Sequence, residues 1–133
     1  MVVVCSRYYY AEYSKYLSPT KSALVVRNAT RYFKFKIRVV QTDHLSEFSE
    51  SFYFLLRDLK IQHRHSRIQK PNDNAHIERF NRTIQEKGFK SKLPNKDLIE
   101  KHLKKFIYYY NNQRYHLGIN CNTPCSFVSK LKN

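Results

Sequence analysis

One short stretch of the chain brings together residue types that could do chemistry. Within residues 71–83, Glu78 is followed by Arg79 and Arg82. Pro71 and the Asn and Asp residues after it predict a turn, and their side chains can cap a helix whose apolar residues recur at helical spacing. Glu78 then lies near the first turn, where the helix dipole favours a carboxylate. Residue types alone favour a solvated Glu78 in local ion pairs with the two arginines over a catalytic carboxylate.

The order of residues in this stretch shifts that balance. Its letters, PNDNAHIERFNRT, strongly resemble the third-carboxylate segment of insertion-sequence transposases and retroviral-type integrases. A second stretch agrees: residues 39–48, VVQTDHLSEF, are similar to this family's strand-end Thr-Asp-Asn-Gly-x-Glu-Phe, with His44 and Leu45 where Asn and Gly are usual. Because Gly tolerates a left-handed backbone and Leu does not, we expect the loop after Asp43 to differ from the family's.

A third stretch completes the match. Residues 109–116, YYNNQRYH, and then Thr123 and Pro124, resemble the family's Tyr-Asn-x-x-Arg-x-His and Thr-Pro tail. Three segments in the family's order, over nearly the whole chain, make the resemblance to DDE-type transposase and integrase catalytic cores specific. Asn111 and Arg114, at the end of a predicted helix, are expected to tie down the chain that follows by hydrogen bonds.

The resemblance implies an α/β fold of the ribonuclease H-like type, with a mixed sheet, flanking helices and a C-terminal helical extension. In that fold the sheet opens with three antiparallel strands, of which the first is central. Only two strands precede the first predicted helix here, so we expect that first strand to be missing. We therefore divide the chain into a partial integrase core, residues 1–116, and a C-terminal tail, residues 117–133, that packs loosely.

Periodicity and turn residues predict the elements that must position these side chains. An apolar run and an alternating run predict an antiparallel strand pair joined near Ser6 and Arg7. A helix starts near Pro19, with Thr20 as its cap. The predicted strands are 2–5, 8–16, 35–41 and 61–66. The first predicted helix ends at Tyr32 and the second extends from Ser46 through Leu59. The third contains Glu78 and ends at Lys90, and the fourth extends from Asp97 to Asn112.

The resemblance also assigns catalytic and metal-binding roles to Asp43, at a strand end, and to Glu78, on a following helix. Cleavage and transfer of phosphodiester strands use hard cations that bridge the attacking and leaving oxygens and are held by carboxylates. The expected cofactor is Mg²⁺ or Mn²⁺. The family's first aspartate has no counterpart, because the only acidic residue before Asp43 is Glu12, where the family places no ligand. We expect the metal to be weakly held and the chain alone to be inactive.

The charge of the chain indicates a polyanionic partner. It carries 25 Lys and Arg against 10 Asp and Glu, a formal net charge of +15, which favours nucleic acid bound through its phosphates. A solvated basic face is the alternative for any single residue. The candidate DNA-binding residues, around the Glu78 helix and after the last helix, are Arg64, Arg67, Lys70, Arg79, Arg82, Lys87, Lys90, Arg114 and His116.

These features predict a catalytic-core fragment of a DNA transposase or integrase, with transposon ends and target DNA as partners. The alternative is a non-catalytic basic module that binds DNA or associates with a full-length transposase, and a homo-oligomer is compatible with both. No apolar run is long enough to span a membrane, and three irregularly spaced cysteines fit a reducing compartment. We expect a cytoplasmic protein that is nucleoid-associated when bound to DNA.

Overall fold

The computed structural model describes residues 2–3, 6–16, 18–42, 50–66, 75–88 and 95–131. Strands and helices follow one another in the order that the sequence predicts, with one further short helix near the C-terminus. The strands are β1 (Val2–Val3), β2 (Tyr8–Tyr9), β3 (Val39–Thr42) and β4 (Gln62–His65), and the α-helices are α1 (Pro19–Tyr32), α2 (Glu50–Asp58), α3 (Ala75–Thr83), α4 (Lys96–Asn112) and α5 (Pro124–Lys130). The chain forms two compact units, Ser14–Ala75 and, from two segments, Met1–Tyr13 with His76–Asn133.

Helix α1 opens the Ser14–Ala75 unit. The side chain of Ser18 caps it by accepting a hydrogen bond from the backbone N–H of Lys21 at 3.3 Å. The prediction that Thr20 is the cap is wrong, because Pro19 already stands at the first helical position, where its missing N–H is not needed. The helix ends at Tyr32, as predicted, and it buries Ala23, Val26 and Ala29.

Strands β3 and β4 pair in parallel, with Val39 opposite Gln62 and Thr42 opposite His65. Burial alternates along β3, because successive side chains of a strand point to opposite faces, and Val40 and Thr42 are the buried ones. The strand begins later than the predicted 35–41 and ends directly before Asp43.

Helix α2 packs against α1 and β4. Its buried side chains, Phe52 and Leu56, are four residues apart and so lie on one face. The predicted start of this helix at Ser46 lies outside the described residues.

The second unit contains the predicted antiparallel pair. Val2 lies opposite Tyr9 and Val3 opposite Tyr8. Arg7, directly before β2, has a φ of 57°, in the left-handed region that suits a tight turn. The prediction of a strand over 8–16 is wrong beyond Tyr9, since the backbone of residues 10–16 joins no strand.

Helices α3 and α4 complete the core of this unit. Asn95 caps α4, its side chain accepting from the backbone N–H of Leu98 at 3.0 Å, and the helix agrees with the prediction to within a residue at its start. Helix α3 passes into a π-helical turn, Ile84–Gly88, and its predicted end at Lys90 lies outside the described residues. The buried side chains of α4 recur at helical spacing and are Leu103, Phe106, Ile107, Tyr110 and Asn111.

The segment after α4 is packed, in contrast to the loose tail expected for residues 117–133. A 3-10 turn, Leu117–Ile119, is followed by α5, whose cap is Thr123. The Thr123 hydroxyl accepts from the backbone N–H of Ser126 at 3.2 Å, and Pro124 takes the first helical position. The Thr-Pro pair of the sequence motif is therefore a helix start. Helix α5 packs against α4 and β2. The division of the chain into a core, residues 1–116, and a tail, residues 117–133, stays a prediction.

The four strands form two two-stranded sheets in the described part of the chain, β1 with β2 and β3 with β4. One pair is antiparallel and the other parallel, so both directions of pairing that a mixed sheet needs are present. Over the same residues, no helix combines the length and apolar character needed to cross a membrane.

Candidate active site

Helix α3 carries Glu78 on its exposed side. The opposite side is apolar: Phe80 is 1% exposed, and Ile77 and Ile84 pack against the same core. Residues 77, 80 and 84 are three and four apart and so line one face, and Glu78 falls beside that face toward solvent. The apolar spacing of the sequence therefore decides which way the carboxylate faces.

Aromatic rings from three elements form the core that receives this face. Tyr9 of β2 lies on Phe80, with ring centroids 3.6 Å apart and 10° between the planes. Tyr110 of α4 meets both rings edge-on, with centroids 4.7 Å from Tyr9 and 5.2 Å from Phe80, and Phe106 belongs to the same cluster. Because aromatic pairs add about 1 kcal/mol each beyond ring burial, α3 is held firmly against β2 and α4.

Two polar contacts fix the first turn of α3. The Tyr9 hydroxyl donates to the backbone carbonyl of His76 at 2.8 Å, and Arg7 Nη1 lies within hydrogen-bond distance of both ring nitrogens of His76, Nδ1 and Nε2. Burial lowers the pKa of His76, and the neighbouring Arg7 and Arg79 lower it further. The imidazole is therefore neutral near pH 7 and can accept a hydrogen bond from the guanidinium. Glu78 follows two residues later.

Asn111 in turn holds Tyr9. The Tyr9 backbone N–H donates to Asn111 Oδ1 at 2.9 Å, and Asn111 Nδ2 donates to the Tyr9 carbonyl at 2.8 Å. With 0% of its surface exposed, this amide takes the place of a neighbouring strand and satisfies two buried backbone groups. Asn111 therefore ties β2 to α4, a contact that the sequence did not indicate. That it also ties down the chain after α4 stays a prediction.

Glu78 makes no ion pair with Arg79 or Arg82 in the structure. An ion pair of this i,i+4 kind is formed on α4 instead, between Lys96 and Glu100 at 3.5 Å. Both arginines are exposed, as is Glu78. The local pairing that residue types alone favour is therefore not formed, and the carboxylate faces solvent.

Glu78 suits a hard cation chemically, because Mg²⁺ and Mn²⁺ take carboxylate oxygens as ligands. Asp43, its predicted partner, lies outside the described residues. Within the described ranges, no group of three or more His, Cys, Asp or Glu side chains could hold a metal ion. Glu12, the acidic residue nearest the start of the chain, is exposed and accepts a hydrogen bond from the Tyr10 hydroxyl.

The predicted DNA-binding residues do not share one environment. Arg79 and Arg82 are exposed on the helix that carries Glu78. Arg64 is exposed on β4, where its Nε and Nη2 donate to Gln41 Oε1 on the neighbouring strand, at 3.0 and 2.6 Å. Outside the described part of the chain lie Arg67, Lys70, Lys90 and the side chain of Lys87.

The last two candidates, Arg114 and His116, are half-buried against the aromatic core. The Arg114 guanidinium lies 5.1 Å and the His116 ring 4.6 Å from the centroid of the Tyr110 ring. Burial lowers the pKa of His116, and Arg114 lowers it further. Arg114 Nη1 and His116 Nε2 are buried without a hydrogen-bond partner among the described residues. This placement favours packing, and DNA contact by either residue stays a prediction.

Sequence reasoning missed the residues that hold α3. Asn111 lies in the Tyr-Asn-x-x-Arg-x-His motif, so the sequence singles out this residue. The sequence does not indicate that its side chain bonds to the backbone of Tyr9. Tyr9 was recognised as a strand residue, but nothing local to it indicated a contact with His76. Arg7 carried no signal beyond its place in a turn.

Comparison with known proteins gives a family for part of the chain. Residues 59–124 match the family model described as an integrase core domain. The protein named "Putative integrase ORF3" of Spiroplasma virus SpV1-C74 is 28% identical over 106 residues, which cover 69% of this chain and 29% of that protein. This chain thus spans less than a third of the length of that relative.

Two solved structures share the fold. The catalytic core domain of BIV integrase aligns with a TM-score of 0.72 at 15% identity, covering 92% of this chain and 78% of that one. The simian T-cell lymphotropic virus intasome in complex with PP2A regulatory subunit B56 gamma aligns with a TM-score of 0.69 at 16% identity, covering 86% and 42%. At these identities the likeness shows the fold, which is ribonuclease H-like. Taken with the family match over residues 59–124, it supports an integrase/transposase-like core.

Proposed function

We propose that this chain is a catalytic-core portion of a DDE-type DNA transposase or integrase. Asp43 and Glu78 hold divalent ions that serve phosphodiester cleavage and strand transfer. The observation that carries the proposal is the environment of Glu78, an exposed carboxylate without a local ion pair, on a helix anchored by β2 and α4 in an integrase-like core.

Mg²⁺ or Mn²⁺ at this site supplies Lewis-acid stabilisation of the phosphoryl oxygens. The part of Glu78 is to hold such an ion through its carboxylate. Phe80 and the aromatic core keep the helix, and with it this carboxylate, in one position. Arg79 and Arg82, exposed on the same helix, attract the phosphate backbone without reading bases.

The chain by itself is not active under this proposal. Two carboxylates leave the charge of two divalent ions under-compensated, and Glu12 is the only acidic residue before Asp43. A further aspartate would have to come from additional polypeptide. The partners are transposon ends and target DNA, with a homo-oligomer or a full-length transposase as the protein partner. The cell compartment would be the cytoplasm, on the nucleoid when DNA is bound.

Metal binding by Glu78 can be tested with Mn²⁺ alone. In the ¹⁵N-labelled chain, Mn²⁺ should broaden the amide signals around Glu78, and Glu78→Gln should abolish that broadening. Glu86→Gln is a matched control, because Glu86 is an exposed carboxylate on the π-helical continuation of the same helix. Broadening of Glu78→Gln equal to that of the wild type would overturn the proposed role.

Incompleteness is tested with a pre-processed duplex DNA end in Mg²⁺ or Mn²⁺. We expect no nicking and no strand transfer by the purified chain. A metal-dependent nick that disappears in Asp43→Ala would show that the two carboxylates suffice.

A non-catalytic DNA-binding module is the second candidate, and the net charge of +15 favours it. Such a module would bind duplex DNA with an affinity that neither Mn²⁺ nor Glu78→Gln changes. A catalytic core that keeps its metal site would instead show binding that depends on both.

A further inference from the structure

We infer that Arg7 and Tyr9, with Asn111 behind them, are positioning residues for Glu78. The inference rests on the proposed function, because it concerns the same carboxylate. It adds three side chains to the site, one from the turn before β2, one from β2 and one from α4, none of which contacts the DNA or the metal in this account.

The first step is the fixing of β2 itself. This strand has two residues, too few to be held by strand pairing alone. Asn111 supplies the missing restraint by bonding both backbone groups of Tyr9, at 2.9 and 2.8 Å. Since α4 has 17 residues and Asn111 is fully buried in it, Tyr9 is attached to the longest helix of the described chain.

The second step is the attachment of α3 to Tyr9 on both sides of Glu78. The Tyr9 hydroxyl bonds to the carbonyl of His76, two residues before Glu78. The Tyr9 ring lies on Phe80, two residues after it. Arg7 adds a third contact through the His76 ring. The backbone of Glu78 therefore cannot shift along or around the helix axis without breaking at least one of these contacts.

The third step is that α3 needs such contacts. It has nine residues, and isolated helices of that length are marginal in water. Tertiary contacts must therefore hold its first turn, and Arg7 and Tyr9 both supply polar contacts to it.

Tyr9→Phe tests this directly, because it removes the hydroxyl and keeps the ring on Phe80. In the full chain, we expect amide hydrogen exchange over residues 78–82 to accelerate about tenfold, because that factor corresponds to the net contribution of one hydrogen bond. We also expect Mn²⁺ to broaden the Glu78 amide only at severalfold higher concentration. Tyr108→Phe is the matched control, since Tyr108 is 60% exposed on α4. Arg7→Gln should act in the same direction as Tyr9→Phe.

The outcomes separate this inference from the proposed function. If exchange over 78–82 and Mn²⁺ binding are unchanged in both variants, the inference is wrong. A uniform rise in exchange across α3 and α4 would also overturn it, because that is the effect of a merely structural residue. If Glu78→Gln leaves Mn²⁺ binding intact, the metal role fails, and the local exchange rates still decide whether Arg7 and Tyr9 hold the turn that carries Glu78.

Discussion

The ring of Tyr9, from a strand of two residues, lies face to face with the ring of Phe80, from the helix that carries Glu78. Both residues are nearly inaccessible, at 2% and 1% exposed. One ring pair thus joins the first strands of the chain to a helix far along the sequence. The stability of this unit and the position of its exposed carboxylate therefore depend on the same contact.

Phe80→Ala should strongly destabilise the chain. Loss of a fully buried phenylalanine costs about 4 kcal/mol, through lost burial and the cavity left behind. Chemical denaturation followed by circular dichroism measures the change, with Tyr108→Ala as an exposed aromatic control. A loss of less than about 1 kcal/mol would contradict the central position of Phe80 in the core.

Asn111→Ala should cost about 3 kcal/mol in the free energy of unfolding, because it leaves the buried N–H and C=O of Tyr9 without partners. Asn112→Ala is the neighbouring control. The Asn112 side chain donates to the Tyr108 carbonyl within the same helix, at an exposed site, so we expect a loss of about 0.5 kcal/mol or less there. Equal losses for the two variants would argue against the strand-like role of Asn111.

The stability of the chain should decrease as the pH falls below about 6.5. Burial and then Arg114 lower the folded-state pKa of His116 from the ordinary value of 6.5. Between that lowered pKa and 6.5, the unfolded chain binds more protons than the folded one, so acid favours unfolding, and the full stability is present above 6.5. His116→Gln should reduce the slope of the melting temperature between pH 7.5 and 5.5, with His102→Gln on the exposed face of α4 as the control for the substitution itself. An unchanged slope in His116→Gln would contradict the prediction.

Binding to duplex DNA should depend steeply on salt. If about five phosphates are contacted, affinity falls about 500-fold between 50 and 200 mM salt. The double variant Arg79→Gln, Arg82→Gln should reduce the slope of log affinity against log salt concentration by the contribution of one to two phosphate contacts. Lys101→Gln with Lys104→Gln removes the same charge from exposed positions on α4 and serves as the control. Equal slopes in the two double variants would show that net charge, and not the face of α3, binds the DNA. Fluorescence anisotropy over a salt series measures the slope.

The helices could be predicted closely because their signals are local. The apolar spacing from Leu103 to Tyr110 marks α4 almost to the residue. The ends of the strands could not be predicted closely, because the extent of a strand depends on its partners. The aromatic alternation over 8–16 is typical of a strand, yet pairing stops at Tyr9. The tail was misjudged although Thr123 and Pro124 carry a plain helix-start signal.

The candidate site divides in the same way. The exposure of Glu78 follows from the apolar spacing around it. Its predicted catalytic and metal-binding role follows from the resemblance of its motif to that of the family. The contact of Arg7 with His76 could not be read from the sequence, because a turn at one end of the chain meets a helix from its second half only after folding. The environment of Arg114 and His116 was likewise hidden, since their half-burial depends on how Tyr110 packs.

The amide of Asn111 has one more effect. A strand whose outward N–H and C=O groups are unoccupied is a template on which another extended polypeptide can add, which is a common route to edge-to-edge aggregation. On β2 those groups of Tyr9 are occupied by a side chain of α4, while the opposite side pairs with β1. A second molecule therefore finds no free backbone groups at Tyr9 on which to add a strand.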